Sequence, residues 1–361
     1  MEPGLRAAGS PCEGECGQLA AASNSTVESN ATGRMRKLLE YFWPLVGLVA
    51  VVASFFLLYH EFKGESVGAE VWANLQAIPT SRYLLAGLST LVAYAALAWY
   101  DRIALLHLGV KHINWLFISV CSFTTYALSH NIGASVFSGA MVRYRAYSTK
   151  GLSATQVAAL VVLCSYTFGF GNVLLAGLLL TYDPALMQRL SGFLPDFLTN
   201  PSTARIVGLA CMAFVVLYII GSLMHFRAIR LFGRFEILYP RPDIMLRQLF
   251  AAPLELIGAA GIIYFALPEQ GNPGFLVVLG AFLLSFSAAL VSHAPGGLGV
   301  FELLFINVMP DVPRLKVLAA LLVWRLFYLI IPLLIALVVV ALFERNKFME
   351  RWRGSQKQPQ E

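Results

Sequence analysis

Two of the apolar stretches in this chain are broken near their middle by residues that a membrane helix accommodates poorly. The first break is Ser129-His130-Asn131-Ile132-Gly133; the second is Ser292-His293-Ala294-Pro295-Gly296-Gly297-Leu298-Gly299. Lipid offers no hydrogen-bond partner to backbone freed by such a break. Non-helical backbone at that depth survives only buried in protein or lining a wet cavity. Two interrupted apolar segments in corresponding positions of two halves point to a transport site between those halves.

The composition supports a membrane setting. The 361 residues are 58% hydrophobic and 13% charged, with a mean hydropathy of +0.69. Soluble domains carry roughly 25% charged residues. The net charge of +6 does not imply nucleic acid, because Lys and Arg sit in short clusters between apolar runs, as in cytoplasmic loops. Cys121, Cys164 and Cys211 lie within apolar runs and read as packing residues. Cys12 and Cys16 have a spacing that fits no common zinc or redox motif. No phosphate loop and no zinc-protease motif occurs. Gly133-Ala134-Ser135 is followed by Val136, where an intramembrane serine-protease motif would place glycine. No metal, cofactor or catalytic residue is therefore assigned, and the chain is not expected to be an enzyme.

The apolar runs give a topology. Residues 1–33 read as a disordered tail, and Arg34, Arg36 and Lys37 before a first span at 41–59 place it in the cytoplasm. A second span covers 82–100 and returns to Asp101 and Arg102. The first broken stretch, 113–141, is too short for two crossings of about 20 residues each. Because Arg143, Arg145 and Lys150 follow it, it reads as a re-entrant hairpin open to the cytoplasm. Spans at 154–182, 204–224 and 249–267 come next, then the second broken stretch at 274–309 and a last span at 315–343. The fold class is all-α: a polytopic membrane protein of two inverted repeats, about 36–182 and 204–343. Each repeat has three spans and one re-entrant hairpin, about eight membrane segments in all. Residues 34–345 form the membrane domain, and 346–361 a second cytoplasmic tail.

An ionisable side chain within a span costs about 2.5–3.5 kcal/mol on insertion scales, so each is a functional candidate. The set is His130, Arg143, Glu255, His293, Glu302 and Arg325, with Asn131 and Asn172 as neutral polar groups. Glu302 and Arg325 are placed to pair across the bundle, either as a fixed ion pair or as contacts for a charged headgroup. His130 and His293 either bond frayed carbonyls or titrate near neutral pH. Arg143 and Arg145, at the hairpin mouth, either anchor the loop or bind a lipid phosphate. Gly296, Gly297 and Gly299 allow close backbone approach, for a ligand or for helix packing.

Two blocks carry a family resemblance. One runs from Asn131-Ile132-Gly133 through Ser138-Gly139-Ala140-Met141-Val142-Arg143-Tyr144-Arg145 to Gly151-Leu152-Ser153. The other is Pro295-Gly296-Gly297-Leu298-Gly299-Val300-Phe301-Glu302, followed by Trp324-Arg325-Leu326-Phe327-Tyr328 and Pro332. Over roughly residues 36–345 the chain resembles the membrane domain of the bacterial lysylphosphatidylglycerol synthase/flippase family, the multiple peptide resistance factors. In that family the membrane domain moves a modified phospholipid between leaflets, and a separate soluble domain makes it. The resemblance implies a stand-alone flippase with a membrane phospholipid as substrate; set in the inner membrane, its termini are both cytoplasmic by the placement of Lys and Arg. Glu302, Arg325 and Glu255 would solvate the headgroup, and Arg143 and Arg145 would receive it. The competing reading is a non-transporting partner of a lipid-modifying enzyme. Association into a homo-oligomer is left open.

Overall fold

The computed structural model describes residues 67–132, 135–192, 195–224, 229–231, 235–237, 240–292 and 295–355, all within one compact unit, Ala50–Glu361. The tail at 1–33, the expected first span, Gly133 and His293 lie outside the described residues. The remainder is a helical bundle. Five of its helices are long and apolar enough to cross a membrane, and two further apolar segments are each split into a helix pair.

The elements follow the expected runs closely. Helices α1 (Val67–Ala77) and α2 (Thr80–His107) precede the first split pair, α3 (Trp115–Ile132) and α4 (Ser135–Tyr147). Helix α5 (Ala154–Tyr182) starts at a capping box, in which Ser153 Oγ accepts from Gln156 N and Gln156 Oε1 accepts from Ser153 N. Helix α6 (Pro201–Leu223) begins on an Asn200 cap followed by proline, the favoured start of a helix. A two-stranded antiparallel ribbon, β1 (Ile229–Leu231) and β2 (Phe235–Ile237), lies in the basic segment expected to be a loop. It is the one strand pair among the described residues. Then come α7 (Pro242–Ala266), the second split pair α8 (Phe275–Val291) and α9 (Val300–Val308), and α10 (Arg314–Trp324). A π-helical turn (Arg325–Ile330) leads into α11 (Ile331–Ser355), which extends well past the expected end at 343.

One expectation is corrected here. The second span does not stop at Tyr100; α2 continues to His107, and Asp101, expected in a loop, is 0% exposed within it. Ile103, Ala104 and Leu105 carry the buried face past the acid, which is matched from within the bundle.

Helices α2 and α7 form the central seam and run antiparallel. Arg82 bonds the Leu267 carbonyl at 2.8 Å at one end, and Tyr100 donates to the Ala252 carbonyl at 2.8 Å towards the other. Between them a Cβ on Gly258 would lie 2.8 Å from Ala93 N, and one on Gly261 3.0 Å from Ser89 Oγ. Small residues at this seam let the backbones approach, which is how helices associate where lipid is as apolar as leucine. Leu84, Leu88 and Leu91 of α2, Ile206, Leu209 and Leu217 of α6, and Leu334 and Val338 of α11 stay exposed. In water such a surface would aggregate; in a bilayer it faces acyl chains.

Candidate functional site

The two helix breaks meet at the π-helical turn. The sequence makes that turn irregular: Pro332 has no N–H for the carbonyl four residues back, and its ring crowds that carbonyl. The helix responds by widening, with Ile331 N bonding Leu326 O five residues back. The two carbonyls loosened in this way are taken up by the rest of the bundle. Tyr94 Oη donates to Tyr328 O at 2.9 Å, and Asn131 Nδ2, beside the first break, donates to Leu329 O at 3.2 Å.

Arg325 opens the same turn and reaches the second break. Its Nε pairs with Glu302 Oε1, and its Nη1 donates to Gly296 O at 3.0 Å. Glu302 sits in the first turn of α9, where its other oxygen accepts from Gly299 N at 2.8 Å. A carboxylate there caps the helix and meets its positive end. Gly296, Gly297 and Gly299 all have positive φ, at 59°, 65° and 80°. A Cβ on Gly296 would come within 3.9 Å of the carbonyls of both His130 and Asn131, so the two breaks lie side by side. On Gly297 a Cβ would sit 2.9 Å from Ala289 Cβ, so this residue also serves packing.

Tyr328 is the hub of this cluster. Its ring stacks on His130 and on Trp324, with centroids 5.4 Å apart in both cases, and its hydroxyl donates to Glu255 Oε1 on α7. Four buried polar atoms around it have no hydrogen-bond partner among the described residues: His130 Nδ1, Glu255 Oε2, Trp324 Nε1 and Arg325 Nη2. Such atoms are costly in a closed interior, which makes the surroundings of Tyr328 the candidate site for a polar ligand or water.

The remaining candidates separate from this cluster. Arg143 is 4% exposed and forks onto Asp101, with Nη2 to Oδ1 at 2.7 Å and Nε to Oδ2 at 3.3 Å. Tyr147 and Cys164 also donate to Asp101, and the guanidinium lies 4.8 Å from the Tyr126 ring centre. This arrangement ties α4 to α2 and α5. Arg145, two positions further along α4, is exposed. Asn172 Oδ1 accepts from Ser287 at 3.5 Å, at the edge of an apolar cavity of about 320 Å³ between α5, α6 and α8. Among the described residues no group of acids, cysteines and histidines could hold a metal ion.

Four participants were given no role in the sequence reading: Asp101, Tyr94, and the block members Trp324 and Tyr328. Asp101 stood at an apparent helix end, and the three aromatics look like ordinary membrane residues until their polar ends find partners. The signal for the π turn was Pro332 inside an otherwise unbroken span.

No family model matches the chain. It is 30% identical over 276 residues to the uncharacterized protein slr0712 of Synechocystis, covering 76% of this chain and 83% of that protein. It is 28% identical over 279 residues to the inner membrane protein YbhN of Escherichia coli, covering 76% and 84%. It is 25% identical over 314 residues to a phosphatidylglycerol lysyltransferase of Staphylococcus haemolyticus, covering 85% of this chain and 34% of that protein.

Proposed function

Because the chain belongs to the family of slr0712, and is a helical membrane protein related to the membrane part of phosphatidylglycerol lysyltransferases, we propose that it is a lipid translocase of the bacterial inner membrane. The inner-membrane assignment follows the name of its relative YbhN. One observation carries the reading: two interrupted helices touch at a cluster of idle polar atoms in the middle of an apolar bundle. A structural plug would satisfy those atoms; a conduit leaves them for what passes.

The helix order supports an inverted repeat. α2, α3/α4 and α5 have counterparts in α7, α8/α9 and the α10–α11 helix, and the corresponding α2 and α7 run antiparallel along the central seam. In this reading a phospholipid headgroup enters between the two breaks while its tails stay in lipid. Arg325 Nη2 and Trp324 Nε1 donate to the phosphate, and Glu302 lets the guanidinium turn towards the ligand without leaving it unpaired. Arg145, exposed on the same helix as Arg143, offers a first contact for an anionic headgroup.

The test is leaflet exchange of labelled lipids in liposomes carrying the purified protein. Exchange faster than in protein-free liposomes, for anionic, zwitterionic or aminoacylated lipid, supports the proposal. Equal rates with all three, together with a co-purifying lipid-modifying enzyme, would favour the non-transporting partner instead.

A further inference from the structure

Three acidic side chains are buried among the described residues: Asp101, Glu255 and Glu302, at 0%, 1% and 7% exposure. Two have a matching cation. Arg143 holds Asp101, and Arg325 holds Glu302. Glu255 has none. Tyr328 donates to its Oε1, and Oε2 has no partner among the described residues. The titratable groups around it are phenols, Tyr94 and Tyr100 from α2 and Tyr328 from the π turn. The adjoining α8 contributes no ionisable residue. On α5, Cys164 is bound to Asp101, and on α6, Tyr218 is bound to Gln248. His130 stacks on the Tyr328 ring, and α10, which also packs on α7, carries Arg314 and Lys316 in its first turn.

A carboxylate buried without counter-charge, with one oxygen idle, loses its hydration with nothing to replace it. The other two buried acids are each matched, so an exception at Glu255 is a feature with a use. We infer that Glu255 is a proton-binding site: Oε2 holds a proton while the two helix breaks are in contact and gives it up to water when they part.

The geometry supplies the link between the two events. Tyr328 makes the one hydrogen bond to the Glu255 side chain found among the described residues, and its ring stacks on His130 of the first break and on Trp324. Arg325, in the same turn, holds Gly296 of the second break. Separating the breaks withdraws the stack that orients Tyr328, opens Oε2 to water, and makes the charged form tolerable. The closed arrangement takes the proton back. The chemistry is a reversible transfer between a carboxyl oxygen and water, with no other reactant.

The binding site stands without the translocase reading; only its use in driving lipid movement rests on it. Infrared spectroscopy of the protein in lipid vesicles tests the site directly. The wild type is expected to show a protonated-carboxyl stretch at neutral pH. Glu255→Gln should remove it, and Tyr328→Phe, which deletes the donor to Oε1, should shift its frequency. A band that survives Glu255→Gln, or no such band in the wild type, overturns the inference. The coupling is read in vesicles containing a pH dye. Lipid movement in the wild type should carry protons inward or outward with it, and Glu255→Gln should abolish that flux. Lipid moving with no proton flux overturns the coupling. The infrared band appearing as expected, with no lipid moving, supports the proton site and refutes the translocase reading alone.

Discussion

Tyr94 Oη donates, at 2.9 Å, to the one carbonyl that Pro332 deprives of its α-helical donor, that of Tyr328. A hydroxyl on α2 thereby stabilises a defect in the last membrane helix, more than 200 residues away in sequence (234 positions separate the pair). Through the defect it holds the hub of the polar cluster. The ring of Tyr94 packs independently on Phe123 and Tyr328, with centroids at 5.0 and 5.7 Å, so the hydroxyl can be removed without emptying the space.

Tyr94→Phe should therefore cost about 1 kcal/mol, the ordinary loss when a buried acceptor is left alone. Pro332→Ala restores an N–H four residues after Tyr328, and in that background the cost of Tyr94→Phe should fall to near zero. Thermal unfolding of the four proteins in detergent measures the coupling. Equal costs in both backgrounds would show that the two residues act independently.

Asp101 and Arg143 are fully enclosed and bonded to each other through a fork, so removing either leaves an unmatched charge inside the bundle. Asp101→Ala or Arg143→Met alone should destabilise by about 3–5 kcal/mol. The double replacement Asp101→Ala with Arg143→Met should be milder than either single change, because no charge is stranded. Unfolding midpoints of the purified variants decide this, and an additive double mutant would refute it.

Arg325 uses Nε, Nη1 and a free Nη2 from one planar group, a geometry that lysine cannot reproduce. Arg325→Lys keeps the charge facing Glu302 and should leave the unfolding midpoint near that of wild type. Lipid exchange in liposomes should nevertheless fall by about tenfold, equivalent to 1.4 kcal/mol. Wild-type exchange in Arg325→Lys would remove this residue from the headgroup path.

Gly169 and Gly171 share helix α5 and differ only in surroundings. A Cβ at 171 would meet Ala252 O at 2.6 Å, whereas at 169 nothing lies within 4 Å. Gly171→Ala should cost about 1–3 kcal/mol by forcing α5 away from α7. Gly169→Ala should be neutral or slightly stabilising, since alanine is the better helix former. Equal effects at the two positions, by thermal unfolding, would mean that the close approach is not what selects glycine.

The course of the helices was legible in the residues because lipid makes a strict demand on every backbone amide. Long apolar runs must be helical, and runs broken by His, Pro and Gly must turn where protein can shelter them. That rule gave α5 to the residue and both split pairs, and it singled out Glu302 and Arg325 as partners. It misplaced the end of α2, because a charge after a span looks like its boundary when its partner, Arg143, lies on another helix.

What apolar runs and breaks determine by themselves is which segments enter the membrane and where helices fail, since both follow from local hydrogen bonding and hydropathy. Which polar groups are matched, and which are left idle, was decided in the tertiary structure alone. Arg143 looked as available as Arg325 in sequence, yet the fork of Asp101 occupies it, while Glu255 is left without a cation among the described residues. Charge compensation is a property of distances across the bundle, and no residue carries that information in its own neighbourhood along the chain.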